Sequence, residues 1–198
     1  MITRQATATL LELAQVYPVL AITGPRQAGK TTLAQSTFPD KPYMSLEDPD
    51  TRAFAQGDPR GFLARLPDGA ILDEVQRCPP LFSYLQTRAD ANRRMAEFVL
   101  TGSQQFGLLS TITQTLAGRV GLVQLLPFSM GELGSGPLPV PSLDELLWRG
   151  LYPPIHDRQA NQNDNESGEV VQLERLIQER HAQQHSICRN EKRHQYGV

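Results

Sequence analysis

Cysteine is scarce in this 198-residue chain: only Cys78 and Cys188 occur, far apart, so neither a disulfide framework nor paired zinc-ligand spacing can be built from them. A reducing, cytoplasmic setting fits that usage. Long apolar runs are absent as well. Nothing approaches the roughly 18 residues a membrane span needs, and Met1-Ile2-Thr3-Arg4-Gln5 leads into a short amphipathic segment without a cleavable signal pattern. No membrane partner is expected. Charge of one sign is missing too, since 19 Lys and Arg stand against 21 Asp and Glu, a formal net charge of −2. The balance gives no overall footprint for nucleic acid, and no basic run is interleaved with aromatics. No internal repeat is evident. The length suits one α/β domain and a remainder, at about 100 to 200 residues per domain.

What the chain does carry is Gly24-Pro25-Arg26-Gln27-Ala28-Gly29-Lys30-Thr31, which fits G-x-x-x-x-G-K-[ST] at every fixed position. Its setting is the one the chemistry needs: Pro18 to Thr23 reads as a buried strand, and Thr32-Leu33-Ala34-Gln35 continues helically. Without a Cβ, Gly24 and Gly29 let the backbone take positive φ and turn its N–H groups toward phosphate oxygens at a helix N-terminus. Lys30 is placed to reach the β- and γ-phosphates, and the Thr31 hydroxyl to ligate Mg²⁺. Residues 24–32 are therefore the expected nucleotide contacts, with Thr32 closing the stretch. Arg26 lies within contact range but at a variable position of the pattern, which argues against a catalytic role.

The rest of the chain alternates strands and helices. Residues 5–16 suit a helix packed on the sheet, Tyr43 to Leu46 a second strand, and Glu47-Asp48-Pro49-Asp50 a turn-rich stop followed by helix and loop over 51–66. Ala70 to Leu72 is a third strand, Glu97 to Gly102 a fourth and Val120 to Leu126 a fifth, with a helix through Leu81, Phe82, Leu85 and Ala89. The expected fold is α/β, a mainly parallel five-stranded sheet with helices on both faces and the nucleotide at the strands' carboxyl ends. Beyond Pro127, Gly131 to Pro141 reads as a linker or surface loop and Leu143 to Trp148 as a short helix. Ala160 to Gly168 is too polar to order, and Val170 to Arg180 suits one further short helix.

Asp73 ends the third strand, where phosphate-loop enzymes hold the Mg²⁺ shell with a carboxylate, and Glu74 follows it directly. A second carboxylate beside the γ-phosphate can orient an attacking water, so the pair favours hydrolysis over binding alone. Ser103, ending the fourth strand, is the choice for a γ-phosphate or water sensor, the alternative being a serine that caps the next turn. Arg119, just before the fifth strand, either stabilises transferred phosphoryl charge, in its own site or a neighbouring subunit's, or is a surface arginine. His181, His185, Cys188 and His194 mimic metal-ligand spacing, but their segment is polar and lacks paired ligand pairs, so they are read as incidental.

The landmarks Ile22 to Leu33, Ile71-Leu72-Asp73-Glu74-Val75-Gln76, Val99 to Gln104, Leu116-Ala117-Gly118-Arg119 and Leu126 to Glu132 together resemble the AAA-type ATPases of bacteria and archaea that carry a C-terminal domain of unknown function. The resemblance covers about residues 1–155. It includes Arg149-Gly150-Leu151-Tyr152-Pro153, similar to a Gly-Gly-aromatic-Pro turn with Leu151 in place of the second glycine. It implies a P-loop ATPase module over 1–130 that uses ATP and Mg²⁺, with Lys30, Glu74, Ser103 and Arg119 catalytic and Thr31 and Asp73 on the metal. A linker and short helix over 131–158 would lead to a lost or truncated C-terminal domain, with 159–198 a polar, disordered tail. The function expected is ATP hydrolysis acting on an unidentified protein or nucleic-acid partner, in a chain that can assemble with copies of itself. The alternatives are a small-molecule phosphotransferase and a nucleotide-binding module without turnover.

Overall fold

The computed structural model describes residues 2–103, 110, 112, 114–134 and 150–160. The chain divides into two compact units, Met1–Arg158 and Gln159–Val198, and the sheet belongs to the first. Its strands are β1 (Val19–Gly24), β2 (Tyr43–Ser45), β3 (Ala70–Asp73), β4 (Phe98–Ser103) and β5 (Val120–Gln124), all parallel in the order β2-β3-β4-β1-β5. Buried on both faces, the three central strands consist of near-continuous apolar runs instead of alternating with polar residues.

Successive side chains point to opposite faces, and this divides the core in two. Val19, Ala21, Ala70, Leu72, Phe98 and Leu100 meet Phe62, Leu81, Phe82 and Leu85 on one side. These come from α4 (Pro59–Ala64) and α5 (Leu81–Asn92). Leu20, Ile22, Ile71, Val99 and Val123 face the other way, onto Leu10 of α1 (Ala6–Leu13) and Leu33 of α2 (Lys30–Thr37). Phe62, Phe82 and Phe98 are all but fully enclosed, each worth roughly 1.5–3 kcal/mol of burial.

Two stretches differ from the sequence reading. The cluster Glu47 to Asp50, read as a stop, starts a helix: the Asp48 carboxylate accepts from Thr51 N at 2.8 Å and Pro49 occupies the first turn of α3 (Pro49–Gly57). Asp58 and Pro59 repeat the device for α4, with Asp58 accepting from Gly61 N at 2.8 Å. An aspartate cap followed by a proline with no N–H to lose favours helix initiation. The segment expected as a linker from Gly131 begins instead in a short helix, Met130–Gly134. Ser129 and Glu132 form a capping box, Glu132 N donating to Ser129 Oγ at 3.2 Å and Ser129 N to Glu132 Oε2 at 2.8 Å. The expected helices at 143–148 and 170–180 and the histidines at 181, 185 and 194 with Cys188 lie outside the described residues. Of the expected tail, only 159 and 160 are described, and they close a helix begun at Pro153.

Glu132 also fastens the start of this unit to the chain that follows β5. Its carboxylate accepts from Gln5 N at 2.8 Å and pairs with Arg4 Nε at 3.2 Å, with both side chains almost enclosed. The Arg4 guanidinium lies 4.5 Å from the centre of the Phe128 ring. Beside it Ile2, Phe128 and Leu133 form a small satellite core, on which Leu151 packs. Burial lowers the Arg4 pKa, and Glu132 opposes that shift. Replacing Glu132 by Ala leaves this arginine enclosed and unpaired, so a loss of about 3–5 kcal/mol is expected in urea unfolding. Leu11→Ala, at an exposed position of α1, should stay within about 0.5 kcal/mol.

Candidate active site

The sheet order brings the carboxyl ends of β1, β4 and β3 side by side, and each delivers one part of the site. After β1 the chain turns through the phosphate loop into α2. Gly24 has φ +152°, and a Cβ there would stand 2.0 Å from the Leu125 carbonyl oxygen, so the close approach of β1 to the chain leaving β5 admits only glycine. Gly29, at φ +88°, is the left-handed residue from which α2 starts. Between them Ala28 is buried, while Arg26 and Gln27 are exposed. Thr32 faces outward, one residue past Thr31.

Lys30 curls back into the loop. Its ammonium donates to Gly24 O at 3.2 Å and Pro25 O at 2.8 Å, and only 6 % of the residue is exposed. Burial lowers its pKa, with the carboxylates of Glu74 and Asp73 pulling it back up and Arg26 adding to the lowering. The cation is thus held in place by backbone carbonyls with two acids nearby. Further out, Glu47 joins the phosphate loop to the chain after β3, lying 3.8 Å from Arg26 and 3.0 Å from Arg77. Both pairs are exposed and contribute little to stability.

Asp73 is the focus of the site. It is 8 % exposed, and hydroxyls from three elements converge on it. Thr31 Oγ1 donates to Oδ1 at 3.0 Å, Thr101 Oγ1 donates to the same oxygen, and the Tyr43 hydroxyl donates to Oδ2 at 2.8 Å. Tyr43 stands opposite Ile71 across β2 and β3, which puts Asp73 on the diagonal that a long side chain can span. Desolvation first, then the bond to Asp73, pushes the Tyr43 pKa up to about 12. The Thr31 hydroxyl and the Asp73 carboxylate are hard oxygen donors of the kind Mg²⁺ takes, so the donor set fits that ion.

Glu74 follows in a left-handed conformation, φ 53° and ψ 43°, which a non-glycine residue adopts only when its surroundings impose it. Here the 3₁₀ turn Val75–Arg77 imposes it, with Arg77 N donating to Glu74 O and the flanking Val75 and Cys78 fully buried. From that turn, Gln76 Nε2 donates to Glu74 Oε2 and also to Ser103 Oγ, the latter at 3.0 Å. Lys30, Thr31, Asp73, Glu74 and Ser103 therefore meet at one edge of the sheet.

Arg119 does not join them. The register pairs Val19 with Val120, so Arg119 sits at the amino ends of the strands. At about 3.3 Å per residue it is roughly 17 Å from the phosphate loop. Its guanidinium is bound to Asp90 of α5, with Nη2 to Oδ2 at 3.0 Å, a bond that raises its pKa. Its own nucleotide site is out of reach. The residues that sequence reasoning left unassigned are Tyr43, Thr101, Gln76 and Arg4, whose Nη1 donates to Ala28 O in the phosphate loop at 3.3 Å. Gln76 and Thr101 lie inside quoted landmarks and so could have been found. Tyr43 and Arg4 reach the site across strands and across the chain, where no local pattern points to them.

A family model for the AAA domain matches residues 16–134. Two uncharacterized mycobacterial proteins, Rv2008c of Mycobacterium tuberculosis and Mb2031c of Mycobacterium bovis, are each 34 % identical to the chain over 161 residues. The match takes in 81 % of this chain but only 35 % of either relative, so the chain spans about a third of their length. Among solved structures, the Walker-type ATPase PABY2304 of Pyrococcus abyssi aligns with a TM-score of 0.59 at 18 % identity, covering 98 % of this chain and 77 % of that one. AMPPCP-bound DnaA from Aquifex aeolicus aligns at 0.53 and 16 % identity, covering 83 % and 61 %. These likenesses establish the P-loop NTPase fold. Among the described residues no helix is long and apolar enough to cross a membrane.

The crowding at Gly24 yields a direct check. Gly24→Ala forces the backbone of β1 or Leu125 to move, and a loss of about 2 kcal/mol or more is expected in thermal unfolding. Gly57→Ala, where nothing lies within 4 Å of the added carbon, should be neutral or slightly stabilising.

Proposed function

The chain belongs to the AAA domain family, and from that premise we propose that it binds ATP with Mg²⁺ and hydrolyses it to ADP and phosphate, coupling turnover to a protein or nucleic-acid partner. The observation that carries this reading is the convergence of Lys30, Thr31, Asp73, Glu74 and Ser103 at the carboxyl edge of the sheet. Backbone N–H groups of the loop over residues 24–32, all but Pro25 carrying one, cradle the phosphates at the start of α2, and Lys30 turns its ammonium from loop carbonyls to the β- and γ-phosphates. Thr31 and Asp73 would hold Mg²⁺, and the ion would supply positive charge against the phosphate oxygens. Glu74 accepts a hydrogen bond from water and orients its oxygen toward the γ-phosphorus. As the new P–O bond forms, the bond to the ADP oxygen breaks and the water's proton passes to the Glu74 carboxylate, which later releases it to solvent. Ser103 bonds the γ-phosphate and registers its presence.

Glu74, a carboxylate held beside Asp73, favours water over an alcohol as acceptor, which sets hydrolysis ahead of phosphotransfer. Arg119, at the far edge of its own sheet, serves the site of a neighbouring copy in this reading. The ATPase module, expected over residues 1–130, extends through the helix Met130–Gly134, whose Glu132 and Leu133 pack back on Arg4 and Ile2; the residues that follow lead out of it, and the protein works in the cytoplasm.

Calorimetry should detect binding of ATP with Mg²⁺, weakened at least about tenfold by Lys30→Ala. Absence of binding, or equal affinity for the variant, would remove the reading. In phosphate-release assays Glu74→Gln should keep ATP affinity and lose about 10²- to 10⁴-fold in turnover, the usual worth of a positioned general base. Asp73→Asn should lose its response to Mg²⁺ in nucleotide binding as well as in rate. Unchanged turnover in Glu74→Gln would show that another group orients the water.

A further inference from the structure

The amide of Gln76 occupies an unusual position. Its nitrogen donates to both the Glu74 carboxylate and the Ser103 hydroxyl, while its oxygen, Oε1, is buried with no hydrogen-bond partner among the described residues. A buried carbonyl left unpaired costs about 1–3 kcal/mol. Rotating the amide by half a turn would not relieve that cost, because it would set Oε1 against the Glu74 carboxylate, oxygen against oxygen. The orientation is therefore dictated by the two acceptors that the nitrogen serves. The backbone fixes the side chain's origin too, since the 3₁₀ turn that carries Gln76 is anchored by buried Val75 and Cys78, and Gln56 Nε2 holds Arg77 O at 3.0 Å.

We propose that Gln76 is a positioning residue that links Ser103 to Glu74, so that the γ-phosphate sensor and the water-orienting carboxylate are set as one unit. This rests on the ATPase reading above. Ser103 uses its oxygen to accept from Gln76, which leaves its hydroxyl hydrogen to donate to a phosphate oxygen. A shift of Ser103 toward the γ-phosphate draws on the Gln76 nitrogen, and through it on the Glu74 carboxylate. Glu74 then takes its place against the water only when the terminal phosphate is present. Gln76 itself touches neither nucleotide nor water.

The test compares phosphate release with affinity for a non-hydrolysable ATP analogue, using the full chain. Gln76→Leu removes the donor and keeps the bulk, and Gln76→Glu keeps the shape but replaces the donor by an acceptor. Both should lose about ten- to hundredfold in kcat, the scale of a misplaced reacting group, with analogue affinity within about twofold of the parent. Adding Gln76→Leu to Glu74→Gln should cost nothing further, since the group it positions is already gone. Turnover in Gln76→Leu within about twofold of the parent overturns the proposal, as does a full additional loss in the Glu74→Gln background. Equal losses of kcat and analogue affinity would also overturn it, because they mark a general structural role. A parent protein that binds the analogue but releases no phosphate fails the ATPase reading and this inference together. A parent that turns over while Gln76→Leu matches it fails this inference alone.

Discussion

The enclosed carboxylate of Asp73 is the constraint on which the site depends. A charge taken out of water must be met by donors, and here three hydroxyls meet it, from α2, β2 and β4. Those bonds fix more than the acid itself. Thr31 sets the first turn of α2 and hence the direction of the phosphate loop, Thr101 sets β4 beside β3, and Tyr43 closes the edge at β2. The parallel sheet positions the three hydroxyls, and the carboxylate in turn ties together the loop, β2 and β4.

The placement of β4 between β1 and β3 follows from the same geometry. A strand inserted there can offer small polar side chains at its carboxyl end between the loop and the acid, and Thr101 and Ser103 occupy those positions. Farther from the site the same strand is wholly apolar. One strand therefore serves the core through Phe98, Val99 and Leu100 and the candidate site through its last residues. It changes role where the sheet meets the loops, because there polar groups find partners without having to be buried alone.

Much of this was legible in the sequence because it is local. The phosphate loop is defined by spacing over eight positions, and five apolar runs separated by helical periods are enough to call for a parallel sheet. The end of β2 is equally local, but the start of α3 is ambiguous by two residues, since Asp48-Pro49 carries both a turn signal and a helix-start signal and the Thr51 amide contact decides between them. Tyr43 and Gln76 were not read as parts of the site for a different reason. Their roles come from a cross-strand diagonal and from a side chain leaving a strained turn, neither of which has a sequence period. The far position of Arg119 follows directly from its place before a parallel strand, which by topology begins at the edge away from the nucleotide.

The link through Arg4 bears on where the folded unit starts. That side chain donates to the carbonyls of Ala28 and Leu126 and pairs with Glu132, so it ties the phosphate loop to the chain that leaves the sheet. The family match begins only at residue 16. A fragment trimmed to that match would keep the loop motif, yet strip away a cation that braces it and leave the Glu132 carboxylate enclosed without its counter-charge. The working boundary of the folded module is accordingly set by the ion pair at Arg4, ahead of α1 and upstream of anything a motif would mark.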